Sequence, residues 1–337
     1  MQSNRPPHRP RRPSDRSGRA PEAIPEHEQA SGADESTESA DWSAKQRKVQ
    51  FWKVTSADGT VIEAWRNTAE GPVVLICNGL GTNAYVWPEL LEPDCGLTVL
   101  SWNHRGVGRS ARPDDLSRVD VSAFVEDAIA VLDDAGVDRC VVAGWSMGVN
   151  TAFELAVRHP DRVSGLFALA GVPGGSFDSM GAPLLIPRPL RRPVYVGAMS
   201  AMKHAGGALT PVVRRAPMGP IATTALFLSG FLFPKARTSD VQRAAVEFFT
   251  TPADWYGHLA LAAAEHPPVP LSEIKVPTTF VAGRFDLLAS HDDVRAAAEQ
   301  VEGATYVELL GTHFLLLEQP QEITRLLHEL VDRTRES

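Results

Sequence analysis

Cysteine is nearly absent from this chain: Cys77, Cys95 and Cys140 are the only three in 337 residues, an odd set without metal-type spacing. A disulfide framework is therefore excluded, and no cluster of histidine and cysteine points to a metal. Cys77 and Cys140 sit inside apolar runs and read as small core residues of a reducing, cytoplasmic compartment. No apolar core follows the N-terminal arginines, so neither a Sec nor a twin-arginine leader is expected. The apolar run Ile221 to Phe233 stops at thirteen residues, too short to span a bilayer. Basic residues are outnumbered, 33 Lys and Arg against 41 Asp and Glu, and a net charge of −8 argues against nucleic acid as a main partner. Internal repeats are absent as well.

Residues 1–45 lack any hydrophobic period and are rich in Pro, Arg, Ser, Glu and Asp. Such a stretch buries too little apolar surface to offset its ordering entropy, and we expect a disordered, charged tail. Arg5, Arg9, Arg11, Arg12, Arg16 and Arg19 face a single acid, Asp15, in the first 20 residues, whereas 21–41 carry only acids and one histidine. A solubilising tail is the plainer reading of that polarity, ahead of a basic arm for anionic partners.

The rest alternates between two periods. Val49 to Val54 and Val61 to Trp65 flank Ala57-Asp58-Gly59 and read as a hairpin. Apolar runs follow at Val73–Cys77, Leu97–Trp102, Arg139–Ala143, Val163–Ala170, Pro277–Ala282 and Tyr306–Leu310. Between them, Val121, Phe124, Val125, Ala128, Val131 and Leu132 mark one helical stripe, and Ile323, Leu326, Leu327, Leu330 and Val331 mark another. Strands alternating with helices imply an α/β protein whose mostly parallel sheet carries helices on both faces.

One turn carries the chemistry. Gly144-Trp145-Ser146-Met147-Gly148 lies where a strand ends and the helical run from Thr151 begins. A serine on such a strained elbow is exposed at the sheet edge, and its position suggests a nucleophile. Matching pieces lie on either side: the turn Asn78-Gly79-Leu80-Gly81 after the first apolar strand, Asn103-His104-Arg105-Gly106-Val107-Gly108-Arg109-Ser110 after the next, Gly283-Arg284-Phe285-Asp286, and Gly311-Thr312-His313-Phe314 before Glu318-Gln319-Pro320.

Together these motifs resemble the α/β-hydrolase family, over nearly all of residues 48–335. The resemblance implies an α/β-hydrolase core at 46–174 and 268–337, with a helical cap at 175–267. It also implies a triad in the order Ser146, Asp286, His313, and an oxyanion hole from the backbone N–H groups of Leu80 and Met147. In that chemistry His313 takes the serine proton and Asp286 holds the imidazole in the correct tautomer. Asp178 is the alternative acid, since some family members place it there. His291 reads as an ordinary helix-start residue, His104 as a packing residue, and Arg105 as a residue holding loops near the elbow. Asn78 stands where the family usually has His, which bears on support of the loop more than on main-chain donors.

About 105 residues separate the strand ending near Ala170 from the one beginning near Pro277, far more than a crossover needs. In the family this insertion covers the nucleophile. Ile221 to Phe233 reads first as a buried helix packing the cap onto the core, and second as a lid lining an acyl pocket. From 175 to 250 the cap carries nine basic residues against Asp178, Asp240 and Glu247, compatible with an amphipathic anionic substrate or weak contact with an anionic membrane surface.

The expected activity is that of a serine esterase acting on a small-molecule or lipid-like ester with a moderately hydrophobic acyl group, without cofactor or metal. Carbon–carbon bond hydrolase, thioesterase and polyhydroxyalkanoate depolymerase-like activities share the same triad, the last supported by Asn78-Gly79-Leu80-Gly81-Thr82-Asn83. A serine at the elbow, where epoxide hydrolases and haloalkane dehalogenases have aspartate, argues against those two. The alternative from another class is a non-catalytic binding protein, which in this family usually lacks a triad member.

Overall fold

Fully buried apolar strands need cover on both faces, and the chain provides it around one sheet. The computed structural model describes residues 48–182, 184–215 and 220–336; the charged segment 1–45 lies outside the described residues. Among the described residues the strands are β1 (Val49–Thr55), β2 (Val61–Asn67), β3 (Val73–Cys77), β4 (Thr98–Trp102), β5 (Cys140–Trp145), β6 (Val163–Leu169), β7 (Thr278–Gly283) and β8 (Thr305–Leu309). They lie in the order β1-β2-β4-β3-β5-β6-β7-β8. The expected hairpin pairs β1 with β2 antiparallel, β2 runs antiparallel to β4, and the remaining neighbours are parallel.

The chain winds outward from β3 to β4, then begins β5 on the opposite side of β3. That reversal opens a crevice beyond the carboxyl ends of the two strands, where ligands bind in open α/β sheets. Register makes the placement specific: Cys77 of β3 pairs with Gly144 of β5, setting the turn 78–81 beside the elbow. Trp145 pairs with Leu169, Leu169 with Val281, and Gly283 with Leu309, so the turns after β7 and β8 share the same edge.

Helices α1 (Val121–Asp134) and α2 (Gly148–Arg158) precede β6; α3 (Ser176–Ser179), α4 (Arg188–Arg215), α5 (Pro220–Leu228), α6 (Thr238–Phe248) and α7 (Ala253–Ala264) lie between β6 and β7; α8 (His291–Ala298), α9 (Leu315–Glu318) and α10 (Pro320–Glu336) complete the chain. The α1 stripe read from the sequence is buried, with Asp120 capping the helix through the Ala123 N–H at 2.9 Å. Strand alternation divides the core: Leu75 and Val142 pack with α1 and α2, while Val74, Ile76 and Val141 pack with α10. Among the described residues no helix is long and apolar enough to cross a membrane.

Two expectations are corrected here. Arg105 does not serve the elbow. Its guanidinium, 0% exposed, bonds Asp127 of α1 at 2.7 Å and 3.0 Å, Ser56 Oγ at 3.1 Å and the Arg118 carbonyl at 2.8 Å, and pairs with Asp58 in the hairpin turn. It joins the hairpin to α1, partners set by tertiary packing that the motif spacing does not reveal. Burial would raise the Asp58 carboxyl, but hydrogen bonds from Thr60 and the Arg105 guanidinium outweigh it and hold the group at about 2. The apolar run from 221 packs onto the core only in part. Leu232 is buried in the core with Leu226 and Phe227 against it, Leu228 is 84% exposed, and Leu226, Phe231 and Leu232 also border a cavity at Ser146.

Removing one partner of a buried pair strands the other charge, at a cost of about 3–5 kcal/mol. Arg105→Leu is expected to lower urea-denaturation stability by that amount. The double variant Arg105→Leu/Asp127→Leu should regain most of it, because no uncompensated buried carboxylate remains. Loss of Asp58 pairing adds an acid-sensitive component: its carboxyl is depressed, so its stabilisation holds above pH ~4 and fades as pH falls toward ~2. Asp58→Asn should flatten the stability curve within that window.

Candidate active site

Ser146 holds a left-handed backbone conformation, φ 56°, which costs a non-glycine residue about 1–3 kcal/mol. Its surroundings leave no alternative. Its N–H donates to the Leu169 carbonyl at 2.9 Å, continuing the sheet, while α2 must start two residues later. The flanking glycines permit that compression: a Cβ on Gly148 would lie 1.9 Å from the Cys77 carbonyl oxygen, and one on Gly144 2.6 Å from Val149 Cα. The strand-turn-helix reading of this motif is matched.

Two further turns are laced together below it. Arg284 N–H donates to Leu309 O at 2.9 Å, and Phe285 N–H to Gly311 O at 2.9 Å, so the turn bearing Asp286 and the turn bearing His313 move as one. Asp286, 1% exposed, spends Oδ1 on the N–H groups of Leu288 and Ala289 at 2.7 Å and 2.8 Å. Oδ2 is left to His313 Nδ1 at 2.8 Å. A carboxylate accepts only, so Nδ1 carries the proton and Nε2 presents its lone pair to Ser146 Oγ, 2.8 Å away. His313 is itself 4% exposed, and its carbonyl accepts from Trp145 Nε1 at 3.1 Å.

The structure thus brings Ser146, His313 and Asp286 into one hydrogen-bonded chain and leaves the other candidates outside it. Asp178 on α3 uses its main-chain carbonyl to accept from Arg191. His291 begins α8 beside Asp292 and Glu308. His104 packs edge-on against Phe124, and burial pushes its imidazole down to about 4, so it stays neutral near pH 7.

Asn78, the departure from the family's usual histidine, is a buried brace. Its amide donates to Ser101 Oγ at 3.1 Å, and its carbonyl accepts from Trp87 Nε1 at 2.7 Å. Thr82 closes the same turn by donating its hydroxyl to Gly79 O at 2.5 Å. Leu80 and Met147 both border the cavity beside Ser146.

That cavity has a volume of about 340 Å³. The turns at the strand ends line one side of it, with Leu80, Ser146 and His313, and α4, α6 and α7 contribute Tyr195, Phe248 and Tyr256 as large side chains from the insertion. No Asp, Glu, Lys or Arg among the described residues lines it. Arg188 and Arg192 of the basic insertion instead face Asp293 and Glu265 at the surface, at 3.5 Å and 3.6 Å. These wall residues carried no motif in the sequence. The acid turn is also fastened to the insertion: Gly181 N–H donates to Leu287 O at 2.9 Å, and Ser290 N–H to Ser179 Oγ at 2.8 Å.

A family model described as alpha/beta hydrolase fold matches residues 72–199. Epoxide hydrolase A of Mycobacterium tuberculosis is 26% identical over 306 residues, covering 80% of this chain and 93% of that protein. 3-oxoadipate enol-lactonase 2 of Acinetobacter baylyi is 24% identical, over 83% of this chain and 96% of that one. Among solved structures, a thermophilic esterase from Thermogutta terrifontis superposes with a TM-score of 0.63 at 20% identity, covering 85% of this chain and 99% of that chain. The sheet order, the edge on which its turns converge and these likenesses agree: this chain has the α/β-hydrolase fold and is similar to hydrolases built on it.

Proposed function

We propose that the chain is a serine hydrolase that cleaves a carboxylic ester of a moderately hydrophobic acyl group through an acyl-enzyme. The observation that carries this is the Ser146–His313–Asp286 chain, two contacts of 2.8 Å, opening onto an uncharged cavity. His313 Nε2 takes the Ser146 proton as Oγ attacks the ester carbonyl, and Asp286 steadies the imidazolium that forms. The N–H groups of Leu80 and Met147 hold the oxyanion, the second of them at the start of α2, where helical N–H groups have no internal partner. His313 then returns the proton to the leaving alcohol and activates the water that frees the acid.

Likeness to an epoxide hydrolase does not carry its reaction here. The elbow residue is serine, and a hydroxyl needs the base that His313 supplies, whereas the epoxide hydrolases of the family attack with a carboxylate. The non-catalytic reading has no missing triad member to rest on.

One more carboxylate supports the histidine. Glu318, at the end of α9, accepts from Thr312 N–H at 2.8 Å, Thr312 Oγ at 2.6 Å and Phe233 N–H at 2.8 Å. It therefore ties the residue before His313 to the segment whose Phe231 and Leu232 wall the cavity. Sequence reading placed Glu318 in the histidine motif without giving it a role.

Three outcomes test this reading. Hydrolysis of p-nitrophenyl esters from acetate to palmitate should peak at intermediate acyl length and vanish in Ser146→Ala; folded wild-type protein without turnover at any length would sink it. Ser146→Gly should be inactive yet more stable to denaturant by about 1 kcal/mol, since glycine accepts φ 56° without strain. Glu318→Ala should reduce kcat by about 10- to 100-fold through displacement of the histidine turn, with Glu318→Gln recovering part of it. An unchanged kcat in Glu318→Ala would remove the positioning role.

A further inference from the structure

The cavity's charged neighbours are held away from it. Helix α6 presents Val241, Ala244 and Phe248 to the cavity, while Arg243 of the same helix stacks 3.6 Å over the Tyr85 ring and Glu247 accepts from Asn83 at 3.2 Å. Burial raises the Glu247 carboxyl, opposed by Arg243 and Asn83. A substrate bearing a carboxylate, phosphate or ammonium group within the cavity would find no counter-charge there, and burying an unpaired charge is prohibitive.

Neutral polarity is present, and it is sparse. Besides Ser146 and His313, the wall carries the hydroxyls of Thr82, Tyr195 and Tyr256. That of Thr82 is already spent on Gly79 O. The two phenols have no hydrogen-bond partner among the described residues. This is not general in the protein, which has four tyrosines: Tyr306 donates to His291 O at 3.2 Å, and Tyr85 lies under Arg243. A ligand filling the cavity would cut these half-buried hydroxyls off from water, and a hydroxyl then left without a partner costs about 1–3 kcal/mol, a cost that a ligand oxygen removes.

Of the two, Tyr256 lies against the turn that carries Leu80. Its ring edge fills the space over Gly81, where a Cβ would come within 2.9 Å of Cδ2, and it packs edge-on against Phe248 at 5.2 Å. Gly81 adjoins Leu80, to which the mechanism gives an oxyanion N–H. Tyr195 instead lies by Phe177 and Gly181 on another part of the wall. Enclosure raises the Tyr256 phenol above its ordinary value, so it remains a neutral donor across physiological pH.

We propose that Tyr256 is a specificity-determining residue whose hydroxyl donates to a second, uncharged oxygen of the substrate, so that the preferred substrates are neutral esters with a hydroxyl or keto oxygen on the acyl chain near the scissile carbonyl. This rests on the serine-hydrolase reading above. Sites built to hydrogen-bond a substrate oxygen discriminate strongly against the analogue lacking it, because their own polar group is then left unpaired.

The test is pH-stat hydrolysis of ethyl hexanoate, ethyl 3-hydroxyhexanoate and ethyl 3-oxohexanoate by the full chain, with Ser146→Ala as the blank. Wild type should favour the oxygenated esters about tenfold or more in kcat/KM, equivalent to about 1.4 kcal/mol. Tyr256→Phe should shrink that ratio to within about twofold of unity, and Tyr195→Phe should keep it. A wild-type ratio near one, an equal loss on all three esters in Tyr256→Phe, or loss of the ratio in Tyr195→Phe alone would overturn the proposal. A readout independent of the variant's folding is inhibition of wild type by 3-hydroxyhexanamide against hexanamide: the hydroxylated amide should act at about fivefold lower concentration, and equal potency counts against Tyr256. Folded wild type that hydrolyses none of the three esters above the Ser146→Ala blank overturns the serine-hydrolase reading itself, an outcome distinct from turnover without preference.

Discussion

Everything at the site follows from how closely β3 and β5 bring two backbones together. With Cys77 paired to Gly144, the Cys77 carbonyl stands where a side chain on Gly148 would have to go. Helix α2 can start there only because residue 148 has no Cβ, and the chain can turn into it only by forcing Ser146 to φ 56°. The same closeness puts the end of β3 and the start of α2 side by side. The proposed nucleophile, its proposed oxyanion donors and the strain at Ser146 thus share one packing solution.

The second constraint is dielectric. In the proposed mechanism, proton transfer from Ser146 to His313 would create opposite charges within a wall of aromatic and aliphatic groups, where electrostatic interactions are weakly screened. Asp286 is already fixed for such a step: two backbone N–H groups hold one oxygen and the imidazole holds the other, so little would need to reorganise if an imidazolium formed. Neither Arg243 nor Glu247 lines the cavity, so no fixed charge on its wall would oppose or rival Asp286 in that step.

Much of this was legible in the residue order, and the reason is local. Strands such as Val73–Cys77 and Cys140–Trp145 are short apolar runs, α1 has an unbroken stripe, and the elbow, the Asp286 turn and the His313 turn each lie within five residues of a strand end. What was not legible depends on distant partners. Arg105 finds Asp58 and Asp127 at 47 and 22 residues' separation, so its motif did not reveal whether it served the elbow or the hairpin. The run from 221 is apolar on all sides, and only tertiary placement decides that Leu226 faces the cavity while Leu228 faces solvent. Tyr195 and Tyr256 reach one cavity from helix positions about 60 residues apart, on helices joined where Gly257 lets α7 meet the backbone of α4 at Met199 and Lys203.

The fastening of the acid turn to the insertion, through Gly181 to Leu287 and Ser179 to Ser290, gives the protein a fixed and a variable half. The turns that bear Ser146, Asp286 and His313 follow strand ends, while α4, α6 and α7, downstream of the clamp, contribute Tyr195, Phe248 and Tyr256 to the cavity wall. Substitutions along those helices can redraw the outline of acceptable molecules while the proton relay keeps its dimensions. If the proposed activity holds, drift and selection have a place to explore new specificities with little risk to turnover, provided that the four residues at the clamp stay in place.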